Sequence, residues 1–133
     1  MKRIEVAVGV IIRGDQIFLT KRAAHQHQGG KWEFPGGKRE SDETMVEALS
    51  RELWEEVGIQ VQAADPLVAI HHDYSDKAVL LDVYWVREFT GEPSPNENQL
   101  SQWVSVTELQ NVDFPEANVE IVNAILASRG LVT

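Results

Sequence analysis

Residues 4–13 alternate along the chain. Ile4, Val6, Val8, Val10 and Ile12 fall on one face, and a period of two predicts a strand. The opposite face carries the small residues Ala7 and Gly9. These suit either a flat ligand lying against the backbone or a helix packed over it. Gly14-Asp15 reads as a turn, and Gln16–Lys21 as a second strand paired to the first in a hairpin. Residues 22–31 form a loop. Residues 32–37, Trp-Glu-Phe-Pro-Gly-Gly, follow as a short strand ending in a Pro-Gly turn.

The period then changes to that of a helix. Val46, Leu49, Leu53 and Val57 recur at helical spacing and predict a buried stripe. Thr44 with Glu47 three residues later is a capping box, and Gly58 supplies a left-handed stop. Residues 67–74 and 78–87 read as two strands joined by a turn at 75–77. In the second, Val79, Leu81, Val83 and Trp85 alternate with Ala78, Leu80, Tyr84 and Val86. Two apolar faces predict a central strand covered on both sides, and Asp82 interrupts that pattern. Residues 90–100 form a polar loop with two prolines, and residues 102–106 a short strand. Thr107 is placed to cap a helical turn. Asp113 and Glu116 predict a second capping box, opening a last helix that runs to Ser128 and stops at Gly130. Val122, Ile125 and Leu126 form its inward stripe, with Asn118 one turn earlier on the same line. No repeat or linker divides the chain, so one domain over residues 1–133 is expected.

Composition narrows the function. A length of 133 residues with 43% apolar content suits a globular domain with its own core. There is no cysteine, which excludes disulfides and thiolate metal sites. No apolar run reaches membrane-spanning length and no signal-peptide core is visible, so a cytoplasmic protein is expected. Twelve basic residues against 21 acidic give a net charge of −9. Such a surface repels polymeric nucleic acid and free polyphosphates alike. A phosphate substrate would therefore need a divalent cation.

The capped helix could supply the site for one. At roughly 100° per residue, Glu52, Glu55 and Glu56 share an arc beside the apolar stripe. Like charges so close are destabilising unless a cation lies among them, and hard ions such as Mg²⁺ or Mn²⁺ prefer oxygen ligands. Arg51 lies one turn from Glu47 and Glu55 and is placed to hold a carboxylate. A solvated, charge-rich helix face would show the same arc, so the arc alone does not decide.

The wider spacing does. Gly37, Glu43, Arg51, Glu52, Leu53, Glu55, Glu56, Gly58 and Ile59 match every fixed position of the Nudix box over residues 37–59. A chance match at one start point is on the order of one in 10⁹ at ordinary residue usage. The chain resembles the MutT branch of the Nudix hydrolases over nearly its whole length. The resemblance also rests on Val8-Gly9-Val10-Ile11, Thr20-Lys21-Arg22-Ala23-Ala24, Glu33-Phe34-Pro35-Gly36-Gly37 and Phe114-Pro115-Glu116-Ala117-Asn118.

That resemblance implies an α/β/α sandwich around a mixed sheet. It implies hydrolysis of nucleoside triphosphates to monophosphate and pyrophosphate, with 8-oxo-dGTP favoured. It maps the metal ligands to Glu52, Glu55, Glu56 and the Gly36 carbonyl, with Glu97 as a further catalytic and metal-binding acid. Phe34, Asn118 and His27 map to the base pocket, and Arg22 lies near the phosphates. His25, in the same loop, reads as an ordinary surface residue. Glu43 and Arg51 orient the loop and helix. The general base is Glu52 or Glu97, and no covalent nucleophile is implied. Where relatives carry an arginine at the turn between the two long strands, this chain has Lys77, which keeps the charge but loses the planar fork. A monomer is expected. A broader or pyrimidine-preferring pyrophosphatase would use the same box, and so would a nucleotide-sensing module of the same fold, although such modules usually carry damaged boxes.

Overall fold

The computed structural model describes residues 2–24, 29–95 and 99–130. Of the residues singled out in the sequence, His25, His27 and Glu97 lie outside these segments. The elements are β1 (Lys2–Arg13), β2 (Gln16–Lys21), β3 (Trp32–Glu33), β4 (Gly36–Lys38), α1 (Met45–Val57), β5 (Gln60–Asp73), β6 (Lys77–Thr90), β7 (Ser101–Ser105), a 3₁₀ turn (Val106–Asn111) and α2 (Glu116–Ser128).

The strands form a mixed sheet in the order β3-β2-β1-β6-β5, with β4 on β1 and β7 on β2. β1 runs parallel to β6, from Lys2 opposite Lys77 to Ile11 opposite Val86, and every other pairing is antiparallel. The expected β1–β2 hairpin is present but short, holding only Ile12 to Ile17 and Arg13 to Gln16. Beyond it the two strands separate. β4 takes the β1 edge at Val6–Val8, while β3 takes the β2 edge at Thr20–Lys21. The single strand expected over residues 32–37 is thus two short strands, with Phe34 and Pro35 bridging a fork in the sheet. Gly9 N–H donates to the Pro35 carbonyl at 2.8 Å inside that fork.

Each face of the sheet carries a core. Val8, Val10 and Ile12 of β1 face Ile121, Val122, Ile125 and Leu126 of α2. Ala7 and Ile11 face Ala48, Leu49, Leu53 and Val57 of α1. The small residues of β1 therefore serve the covering helix. A Cβ on Gly9 would sit 2.8 Å from Leu53 Cδ1, closer than carbon atoms pack. This is the α/β/α arrangement that the resemblance implied.

The caps of α1 are as expected. Glu47 N–H donates to Thr44 Oγ1, Thr44 N–H donates to Glu47 Oε1, and Gly58 is left-handed at φ 72°. Val46 is not in the stripe: it is 44% exposed, and Ala48 lies inside instead. The second capping box is absent. α2 starts after Pro115, so Glu116 is its first residue rather than its third, and no side chain caps it. Asp113 is instead tied to β3, where its carbonyl accepts from Trp32 N–H. Thr107 lies inside the 3₁₀ turn, with Ser105 before the turn and no capping bond from its side chain. β6 is central, as its two apolar faces predicted, and Asp82 accepts a hydrogen bond from the Tyr84 hydroxyl at 2.9 Å. Burial, then that bond to Asp82, push the Tyr84 pKa up to about 12. β5 begins at Gln60, well before residue 67. Pro66 and three irregularities in the β5–β6 pairing break the alternation there.

Candidate active site

The fork opens into a cleft of about 680 Å³. Val6 and Val8 of β1 and Leu81 of β6 form an apolar wall, and Phe34, Asn118 and Arg22 line the same space. Phe34 is 4% exposed and stacks on Phe114, with ring centroids 5.1 Å apart and planes 6° from parallel. The β5–β6 hairpin tip closes one end of the cleft. There Lys77 Nζ lies 5.4 Å from the Tyr74 ring centroid, and Tyr74 packs edge-on against His72. Lysine keeps a cation–π contact at this tip despite lacking the arginine fork.

One arginine organises the glutamates. Arg51 Nε and Nη2 donate to the two oxygens of Glu43, at 2.9 and 2.7 Å. Its Nη1 donates to Glu52 Oε1 at 2.9 Å and to Glu55 Oε1 at 3.3 Å, and Nη2 also reaches the Lys38 carbonyl. The bidentate pair fastens the 38–43 segment to α1. Hydrogen bonds from Arg51, helped by the Glu40 N–H, hold the Glu43 carboxyl down to about 2. A depressed carboxylate stabilises the fold above its unfolded pKa, so this contribution is complete above about pH 4.5 and lost as pH falls toward 2.

Glu56 is placed differently. Its Oε2 accepts from Gly36 N–H at 3.4 Å. Burial, then the charge of Glu33, then that of Glu52, push its pKa up to about 8 against the pull of that N–H. Glu33 was not singled out in the sequence, yet it faces the cleft and pairs with Arg22 at 2.9 Å. Burial raises its pKa despite the guanidinium. Its signal was a lone charge inside the apolar run Trp32-Glu33-Phe34-Pro35.

The glycines at the fork make room for this packing. A Cβ on Gly37 would fall on the Glu52 carboxylate, and one on Gly36 would fall on the Ala7 carbonyl. Glu52 and Glu55 turn to Arg51 while Glu56 turns to Gly36. No three acidic side chains meet at one point among the described residues. The chemistry of the donors still fits a divalent cation: they are all oxygen, and the burial and like charges of Glu33 and Glu52 acting on the Glu56 carboxyl favour a positive ion beside it.

Comparison with known proteins accounts for the combination. The NUDIX domain model matches residues 7–124. The chain is 40% identical over 123 residues to 8-oxo-dGTP diphosphatase of Escherichia coli K12, covering 92% of this chain and 95% of that protein. It is 35% identical over 129 residues to CTP pyrophosphohydrolase of the same organism, covering 97% and 96%. A solved structure from work on MutT of Aliivibrio salmonicida and Vibrio cholerae superposes with a TM-score of 0.84. It shares 40% identity and covers 96% of this chain and 99% of that one. Nudix hydrolases generally depend on a divalent metal. With the box, the sandwich and the cleft in agreement, the chain belongs to the Nudix hydrolase family.

Proposed function

We propose that this chain hydrolyses 8-oxo-dGTP to 8-oxo-dGMP and pyrophosphate with Mg²⁺, and so removes an oxidised nucleotide from the pool. The observation that carries the reading is a cleft lined by Asn118 and Phe34 and also by Gly36 and Gly37, which pack directly against the Glu56 and Glu52 carboxylates of α1. The relative named 8-oxo-dGTP diphosphatase supports it at 40% identity. The second reading, a pyrimidine-preferring pyrophosphatase, is supported by the relative named CTP pyrophosphohydrolase at 35%. All the acids of the box are present, which argues against a module that only senses nucleotides.

Glu52, Glu55, Glu56, the Gly36 carbonyl and Glu97 are the groups assigned to hold the ion. When bound, Mg²⁺, or Mn²⁺ in its place, supplies charge against the polyphosphate and acidifies water. Glu52 Oε1 is committed to Arg51, which leaves Oε2 to take a proton from the attacking water. Glu97 is the alternative base. Arg22 receives the phosphates, Phe34 and His27 border the base, and Glu43 with Arg51 orients the carboxylates. One domain acting as a cytoplasmic monomer completes the proposal, with no membrane or nucleic acid polymer as partner. The charge of −9 disfavours a polyanionic partner, and no described helix is long and apolar enough to cross a membrane.

A substrate panel tests this reading. With Mg²⁺, pyrophosphate release from 8-oxo-dGTP, dGTP, dCTP and CTP is compared as kcat/KM, and 8-oxo-dGTP is expected to lead. A lead for CTP would move the proposal to the second reading. Arg51→Lys is expected to weaken metal binding and turnover more than it lowers Tm, because lysine cannot reproduce the bidentate clamp. Titration of the metal beside a melting curve checks this, and unchanged metal affinity with a large loss of Tm would make Arg51 purely structural.

A further inference from the structure

Thr20 of β2 has no exposed surface, and its hydroxyl oxygen has no hydrogen-bond partner among the described residues. A buried hydroxyl without a partner is costly, and valine would fill the same space without that cost. The position of Thr20 in the sheet suggests what the hydroxyl serves. Directly opposite on β3 is Glu33, and opposite on β7 is the exposed Ser101. Facing residues of an antiparallel pair point to the same side. Thr20 also shares a face with Phe18, two residues away, which packs in the core beneath α1. The hydroxyl therefore lies on the α1 side of the sheet, next to Glu33 and toward the helix that carries Glu56.

Glu33 has a cation partner, Arg22, at 2.9 Å, and Arg22 also lines the cleft. A polyphosphate entering the cleft competes for the same guanidinium. Were Arg22 to turn toward phosphate, the partly buried Glu33 carboxylate, whose charge already acts on Glu56, would lose that cation and need another donor. Thr20 has one uncommitted.

We propose that Thr20 is a positioning residue: in the substrate-bound state its hydroxyl donates to the Glu33 carboxylate, directly or through one water, and holds Glu33 and, beside it, Glu56 in place. The assignment rests on the hydrolase reading given under Proposed function. Its effect falls on the bound state, so it separates kcat from KM. Thr20→Val is expected to keep or raise Tm, to change KM less than about twofold, and to lower kcat about tenfold or more, the scale of one hydrogen bond to a charged group. Thr20→Ser, which restores the hydroxyl, is expected to bring kcat back to within about threefold of wild type. If Thr20→Val does not fold, Thr20→Ala is measured in its place, with the same kcat loss expected. Wild-type kcat in the valine variant would overturn the proposal. So would a serine variant as impaired as valine, or losses of kcat that follow Tm. Absence of pyrophosphate release by the wild-type protein would instead overturn the hydrolase reading itself.

Discussion

Glu52→Gln is expected to give a folded protein whose turnover is lower by two orders of magnitude or more, the scale for losing a general base or metal ligand. Glutamine matches glutamate in size, so the space above Gly37 stays filled, and an amide oxygen can still accept from Arg51 Nη1. What disappears is the negative charge and the basic Oε2. Those are the two properties that ion binding and proton transfer need, and neither contributes to the packing of α1, whose buried stripe is Ala48, Leu49, Leu53 and Val57. Tm should therefore stay near that of wild type. Steady-state turnover with the best nucleotide of the panel, read beside a melting curve, checks the prediction. Near-wild-type turnover in the folded variant would remove Glu52 from the chemistry and leave Glu97 as the candidate base.

Asn118→Ala is expected to reduce the preference for 8-oxo-dGTP over dGTP by at least tenfold. Oxidation of guanine at carbon 8 gives N7 a hydrogen, while O6 remains an acceptor. A side-chain amide fits that edge, its oxygen accepting from N7–H and its NH₂ donating to O6. Against unmodified guanine the same oxygen faces the N7 lone pair. Sites built to hydrogen-bond a substrate group can reject the analogue by up to about 10⁴–10⁵-fold. The structure puts Asn118 in the cleft beside Phe34, and α2 begins without a side-chain cap, so the amide is not spent on capping. The ratio of kcat/KM for the two nucleotides is the measurement. An unchanged ratio with a stability loss of about 1 kcal/mol would make Asn118 a helix-terminus residue rather than a reader of the base.

Features set by near neighbours in sequence were legible; those set by distant partners were not. The α1 helix could be read because Thr44, Glu47 and Gly58 act within one turn of its ends. Val46 misled because hydrophobic spacing gives a stripe but not its edge, and the edge is fixed by where β1 and Phe18 lie. The box marked Glu52, Glu55 and Glu56, and helical spacing gave the Arg51–Glu55 contact. Of the two acids that spacing offered, however, Glu47 caps α1 with Thr44 instead, and the bidentate partner of Arg51 is Glu43 from the segment before the helix. Glu33 escaped notice because its role depends on Arg22 and Glu56, from other elements, arriving beside it. The fork was hidden for the same reason. Nothing local to residues 32–38 says that the first part will pair with β2 and the last with β1. Asp113 resembled a helix cap until its backbone was seen to be held by β3.

The parallel alignment of β1 with β6 also constrains the order in which the chain can fold. Lys2 must find Lys77, so the central ladder cannot form until α1 and β5 have been made and looped back. Contacts of such long sequence separation carry a loop-closure cost before they return any stability. The β5–β6 hairpin, closed by a short turn, and the capped α1 helix can form early. During synthesis β1 would wait with its apolar Ile and Val face uncovered, able to pair only with β2 and β4. That interval is when this chain is most exposed to aggregation.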